Sequence, residues 1–262
     1  MRDLVDDLHA AEPGDPVARV RAAQKMALPK RFYTDVSVGE GPQDEGGGFT
    51  ILLDGRPVRT PARRLLAVPT RALAEAMARE WAAQGAQIDP FTMPLTRLVN
   101  VAIDRVAPEV EAVRDEVVRY AGSDLVFYRA AGPQTLVERQ ARHWDGVLDW
   151  MRARHGAPFF LAQGIRHVAQ PEASLAKVAA LVPAQPLALA AVHSMTTLMG
   201  SALLALAVAD GALETPAAWD AAHVDEDFNR EQWGDDATAT ARRAARRTEM
   251  DAAARLLELL RS

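Results

Sequence analysis

The chain has 262 residues, of which 49% are hydrophobic and 25% charged, values that exclude wholesale disorder and fibrous architecture. Thirty Lys and Arg against 35 Asp and Glu give a net charge of −5, so there is no basic surplus to grip a phosphate backbone, which argues against nucleic-acid partners. Cysteine is absent, which removes disulfides, thiol nucleophiles and zinc–cysteine sites.

Residues 1–29 read as a polar arm. Their acidic residues and the lack of a long apolar core match neither a secretory signal nor an Arg/Ser-rich transit peptide. Strand composition begins with Phe32–Val38, followed by a Gly-rich acidic loop. Phe49–Leu53 then meets Asp54-Gly55 and Arg56–Thr60. An Asp-Gly pair between two extended runs predicts a hairpin, because both residues tolerate positive φ. Leu65–Val68 is a fourth expected strand, closed by Pro69.

Thr70 is a suitable N-cap for a helix whose apolar stripe is Leu73, Ala74, Met77 and Trp81. Periodicity and proline positions predict helices over 70–84, 94–105, 107–121, 134–154, 172–182, 187–209, 215–231 and 236–260. Phe159–Leu161 and Gly164–Val168 are expected to form a short hairpin. The fold class expected is α+β: a small antiparallel β-rich domain over 30–100 with one helix, then a larger α-helical domain over 101–262.

Pro186–Gly211 is long and apolar enough to consider as a membrane span. His193, Ser194, Thr196, Thr197 and Ser201 interrupt it, and basic flanks are weak. It reads as a buried central helix, with a membrane-tethered protein as the alternative.

Sites for chemistry are sparse. Gly46-Gly47-Gly48 has neither dinucleotide-fingerprint spacing nor a following Lys-Ser/Thr, and it precedes a strand; it reads as a strand connection. No pair of the six histidines has metal-ligand spacing, so neither a metal nor a cofactor is expected. His193 reads as a satisfied core histidine. No Gly-x-Ser-x-Gly elbow or Ser-x-x-Lys is present, and Asp124 reads as an N-cap or turn before Leu125. His143, beside Trp144 and Asp145, supports an alternative reading as a small-molecule enzyme using scattered carboxylates in an interdomain cleft.

Asp225–Asp236 stands apart, with six acidic residues and one arginine, followed by Arg242, Arg243, Arg246 and Arg247. Trp233-Gly234 interrupts the helical pattern. Glycine suits a helix end, and Asp235 or Asp236 can cap the next helix. The plain reading is an acidic helix end followed by a solvated basic face. The functional reading is an acid-rimmed tryptophan corner that binds a protein partner.

A series of fragments carries a resemblance: Lys30–Tyr33, Leu53–Val58 with Thr60-Pro61, Ala78–Trp81, Gln84 and Met93–Leu98. It continues through Ile103-Asp104, Tyr120, Asp124-Leu125, Tyr128-Arg129, Gln140, Trp144-Asp145 and Glu231-x-Trp233-Gly234-Asp235-Asp236. In order and spacing this resembles the ATP synthase F1 assembly chaperone family, specifically the chaperone of the F1 α subunit. The resemblance implies a non-catalytic protein, without cofactor, that binds the unassembled α subunit and prevents its aggregation until it pairs with β. It implies a bacterial cytoplasmic member with a small β domain before a helical one. It places the partner-binding carboxylates among Glu231, Asp235 and Asp236 at the Trp233 corner. Trp81, Asp124 and Trp144 are expected to be structural, with an interface role as the second reading.

Overall fold

Extended chain between residues 36 and 68 is held in a four-stranded sheet centred on one strand. The computed structural model describes residues 28–42, 47–164, 166–234 and 236–262. Apart from residues 28 and 29, the expected arm lies outside the described residues, as does Asp235. β1 (Val36–Glu40) and β2 (Phe49–Leu53) are antiparallel, with Val36 opposite Leu53 and Glu40 opposite Phe49. Asp54 (φ 48°) and Gly55 (φ 78°) make the tight turn that the Asp-Gly pair predicts, and β3 (Arg56–Pro57) returns along β2. β4 (Ala67–Val68) also pairs with β2, further along, with Val68 opposite Phe49. The expected first strand starts later than composition suggests: the strand runs from Val36, Lys30 makes only an isolated antiparallel bridge to Gln87, and Phe32 is exposed. Gly48 (φ 84°) is needed as glycine, since a Cβ there would lie 2.7 Å from the Val68 carbonyl oxygen.

α1 (Arg71–Ala82) packs on β1 and β2 and buries Leu73, Ala74 and Met77. Thr70 caps it as expected, its Oγ1 accepting from the Leu73 N–H at 3.3 Å. The same hydroxyl donates to the Leu259 carbonyl at 2.7 Å, fastening the sheet-bearing region to the last helix. α2 (Pro94–Val101) runs without a loop into a π turn (Ala102–Val106), a 3-10 turn (Ala107–Glu109) and α3 (Val110–Gly122). Pro108 cannot donate to the preceding turn, and the chain accommodates it by widening and retightening the helix.

The remaining helices are α4 (Gln134–His155), α5 (Glu172–Leu181), α6 (Pro186–Met199), α7 (Ala202–Asp210), α8 (Thr215–Ala222), α9 (Val224–Trp233) and α10 (Ala237–Arg261). α6 is packed by α2, α3, α7 and α10, and α7 is buried on every face from Ala202 to Val208. The result is a small antiparallel sheet followed by a larger helical region, the α+β arrangement expected.

Several expectations need correction. The apolar run is two helices and not one over 187–209. Gly200 (φ 69°) ends α6 in the left-handed conformation, and Ser201 caps α7 by accepting from the Leu204 N–H at 3.1 Å. Among the described residues no helix is long and apolar enough to cross a membrane. The expected helix over 215–231 breaks at His223, whose backbone (φ −116°, ψ 16°) starts α9 afresh. Among the described residues the hairpin expected over 159–168 does not form. Instead β5 (Tyr128–Arg129) and β6 (Ala162–Gln163) pair in parallel, joining the ends of segments distant in sequence. His193 is half-buried, not a core residue, with Nε2 3.1 Å from a Glu116 carboxylate oxygen.

Candidate partner-binding site

The acidic segment of the sequence becomes α9. Asp225, Glu226 and Asp227 occupy its first turn, where negative charge complements the helix dipole. Its last residue, Trp233, is 87% exposed. Gly234 (φ 88°) follows, with its N–H donating to the Arg230 carbonyl at 2.8 Å. Asp236 then caps α10, its carboxylate accepting from Thr238 N–H at 3.3 Å and Ala239 N–H at 3.0 Å. The tryptophan thus stands between the end of α9, which Gly234 closes, and the start of α10, which Asp236 caps.

Cross-helix ion pairs hold this corner. Glu231 receives both Nη1 and Nη2 of Arg139 on α4, each at 2.8 Å. Those hydrogen bonds keep the Glu231 carboxyl below its ordinary range. Asp227 is gripped by both Nη groups of Arg243 on α10 and by Arg230 at 3.1 Å. Burial pushes the Asp227 carboxyl up, but Arg243 and Arg230 outweigh it and the group lies below its usual range. A level below, the buried Gln140 amide donates to Asp225 at 2.7 Å while accepting from the Ala130 N–H at 2.8 Å. His223 Nδ1 lies 2.7 Å from the Trp219 carbonyl, and its ring packs 4.0 Å from the Trp219 ring. Burial pushes the His223 imidazole below its ordinary range, so it is neutral near pH 7.

The expected site residues therefore separate. Glu231, Trp233 and Asp236 are brought together at one corner, with Glu231 committed to Arg139 and Asp236 to a helix cap. Asp124 is fully buried: its carboxylate accepts from the Val126 N–H at 3.3 Å and the Leu203 N–H at 3.0 Å, pinning a 3-10 turn (Leu125–Phe127) to the start of α7. Burial overrides hydrogen bonds from Ser201 and from backbone N–H groups and raises its pKa to about 6. Trp144 is also fully buried, its indole N–H donating to the Ala221 carbonyl at 2.7 Å. Neither residue has surface with which to meet a partner. Trp81 is half-buried, edge-on to Tyr33 with ring centroids 5.7 Å apart, and Tyr33 Oη donates to its carbonyl at 2.7 Å. The sequence marks Asp227, Arg230 and Arg243 only as members of a charged run and gives no sign of Arg139. Arg139–Glu231 and Arg243–Asp227 join three helices, for which no local spacing exists, whereas Arg230–Asp227 is an i,i+3 pair within α9.

The enzyme alternative placed His143 in a cleft between domains. His143 does line a cleft of about 500 Å³, with Arg139, Arg142, Asp220, Asp227 and Arg230. That cleft lies among α4, α8 and α9, away from the sheet, and its Asp227 and Glu231 carboxylates are spent on guanidinium groups. Those two pairs brace the helices that line the cleft.

Comparison with known proteins places this fold among chaperones. The family model for the ATP12 chaperone protein matches residues 30–152. A protein from Agrobacterium tumefaciens, Atu1473, described as a proposed chaperone, superposes with TM-score 0.85 at 47% identity, covering 99% of this chain and 97% of that one. Atp12 from Paracoccus denitrificans superposes with TM-score 0.82 at 40% identity, over 88% of this chain and 98% of its own. The chain belongs to the ATP12 chaperone family.

Proposed function

We propose that this chaperone acts in F1 ATP synthase assembly by binding the unassembled α subunit and shielding it from aggregation until it meets β. The physical logic is that a subunit without its neighbours exposes the apolar surface meant for them, which is an aggregation hazard in water. A partner that covers this surface transiently, and less stably than the assembled state, needs no chemistry. The observation that carries the reading is Trp233, 87% exposed on a corner braced by Arg139–Glu231 and Arg243–Asp227. An exposed, pre-positioned tryptophan is an efficient anchor, and carboxylates beside it steer association and choose partners. We place the encounter in the cytoplasm, before the subunit joins its complex.

Purified F1 α subunit diluted from denaturant tests this. An equimolar amount of this chain is expected to suppress light scattering by α and to co-elute with it. No complex in gel filtration and unchanged scattering would overturn the reading. The complex is expected to weaken with added salt, because screening acts on the acidic rim.

A further inference from the structure

The segment joining α4 to α5 presents a different kind of surface. Among the described residues, six large hydrophobic side chains are exposed, and Phe160 (58%) and Leu161 (51%) are neighbours in sequence. They are not on a slack loop. The amide of the buried Gln170 clamps the Phe160 backbone from both sides, accepting from its N–H at 2.9 Å and donating to its carbonyl at 3.0 Å. Two residues earlier, the hydroxyl of buried Ser174 donates to the Pro158 carbonyl at 2.6 Å. Phe159 turns inward and stacks on Phe127, with ring centroids 4.9 Å apart. On the far side, β6 is pinned to β5, and the Gly164 N–H donates to the Arg129 carbonyl at 3.0 Å. Two buried polar side chains and a strand pairing thus fix a backbone that holds two apolar side chains in water.

Exposed apolar surface held rigid has already lost the entropy that binding would otherwise take from it. From this geometry we propose that Phe160 and Leu161 form a pre-organised apolar anchor that inserts into an apolar pocket of the unassembled client polypeptide. The proposal rests on the client reading above and names a second contact for it, apart from the Trp233 corner. Three features choose this occupant. From Gly156 to Gly164 the sequence carries no charged residue, so the stretch itself offers no ion pair to a charged surface. Both hydrogen-bonding groups of the Phe160 backbone are taken by Gln170, so an added β-strand cannot dock there and the side chains must make the contact. The two side chains offer on the order of 200 Å², against roughly 1,200–2,000 Å² for a stable interface, which is too little to hold a second copy of this chain. A client already held at another surface needs only such an anchor, since linked contacts reinforce one another.

The test uses the full chain and purified F1 α subunit. Phe160→Ser with Leu161→Ser is expected to keep the wild-type melting temperature and to weaken α binding about tenfold or more. That loss is expected to be the same at low and high salt, unlike any loss made at the acidic corner. Gln170→Ala leaves both apolar side chains in place but frees their backbone, and a smaller loss of affinity is expected. Equal binding by the double variant and wild type would overturn the anchor while leaving the client reading intact. Wild-type dimers that the double variant dissolves, seen by sedimentation, would assign the pair to self-association and overturn it as well. Absence of any wild-type complex with α would remove the client reading, and the anchor with it.

Discussion

Trp144 and Trp233 show how differently one residue type is used in two parts of the molecule. Trp144 sits in the middle of α4, fully buried, with its indole N–H on the Ala221 carbonyl and the Arg129 guanidinium 5.2 Å from its ring. Trp233 ends α9 with 87% of its surface in water. The carboxylates beside them repeat the contrast: Asp124 caps two elements in the interior, whereas Asp236 caps α10 at the surface. The buried set sustains the fold, and the exposed set is available to a partner. Substitutions should separate them, with stability lost in one region and binding in the other.

The largest effect is expected at Trp144. Trp144→Ala removes a fully buried side chain and leaves the Ala221 carbonyl without its donor, at a cost of about 3–5 kcal/mol. Thermal unfolding followed by circular dichroism measures it, and a melting temperature near wild type would show that the site collapses around the gap.

Asp124 comes next, and pH reads it. Its folded pKa, about 6, lies above the ordinary value of 3.8, so the folded protein holds this proton more tightly than the unfolded chain does. Its contribution to stability is therefore greatest below about pH 4 and is lost as pH rises through 6. The full difference is about 3 kcal/mol. Urea midpoints for wild type should fall between pH 4.5 and pH 7 more than those of Asp124→Asn, which cannot titrate. Parallel pH profiles would deny the buried carboxylate this role.

At the corner the expected costs to stability shrink. Asp236→Ala removes a helix cap worth about 1 kcal/mol, while Asp236→Asn, which caps nearly as well, should be close to neutral. If the Asn variant nevertheless weakens α binding in low salt, the charge serves the partner and the cap serves the helix. Trp233→Ala is expected to change stability by no more than about 0.5 kcal/mol while weakening α binding about tenfold or more. A melting temperature that falls with Trp233 would erase the contrast with Trp144.

Features whose causes are local were legible in the sequence. The Asp54-Gly55 turn, the Thr70 cap, a cap at Asp235 or Asp236 (the structure uses Asp236) and a stripe of Leu73, Ala74, Met77 and Trp81, of which Trp81 is only half-buried, depend on residues within a few positions of each other. The split at Gly200-Ser201 also had a local signal, a glycine followed by a capping serine, which the uninterrupted apolar composition on both sides masked. The break at His223 had none: it accompanies packing of the imidazole on Trp219 and of α9 against α4. The parallel pairing of Tyr128 with Ala162 was equally out of reach, because strand partners so far apart leave no spacing to count.

The sequence by itself therefore determined the order of sheet and helices, the absence of thiol chemistry and the corner at which Trp233 stands, since composition, periodicity and turn chemistry act over short stretches of chain. Only the tertiary structure decided which of the expected site residues reach the surface. Asp124 and Trp144 carry the same side chains as Asp236 and Trp233, and the difference lies in the helices packed over them. It also decided the state of the acidic segment. Arg139 and Arg243 arrive from α4 and α10 to neutralise Glu231 and Asp227, and an ion pair exists only where folding brings its members within a few ångströms.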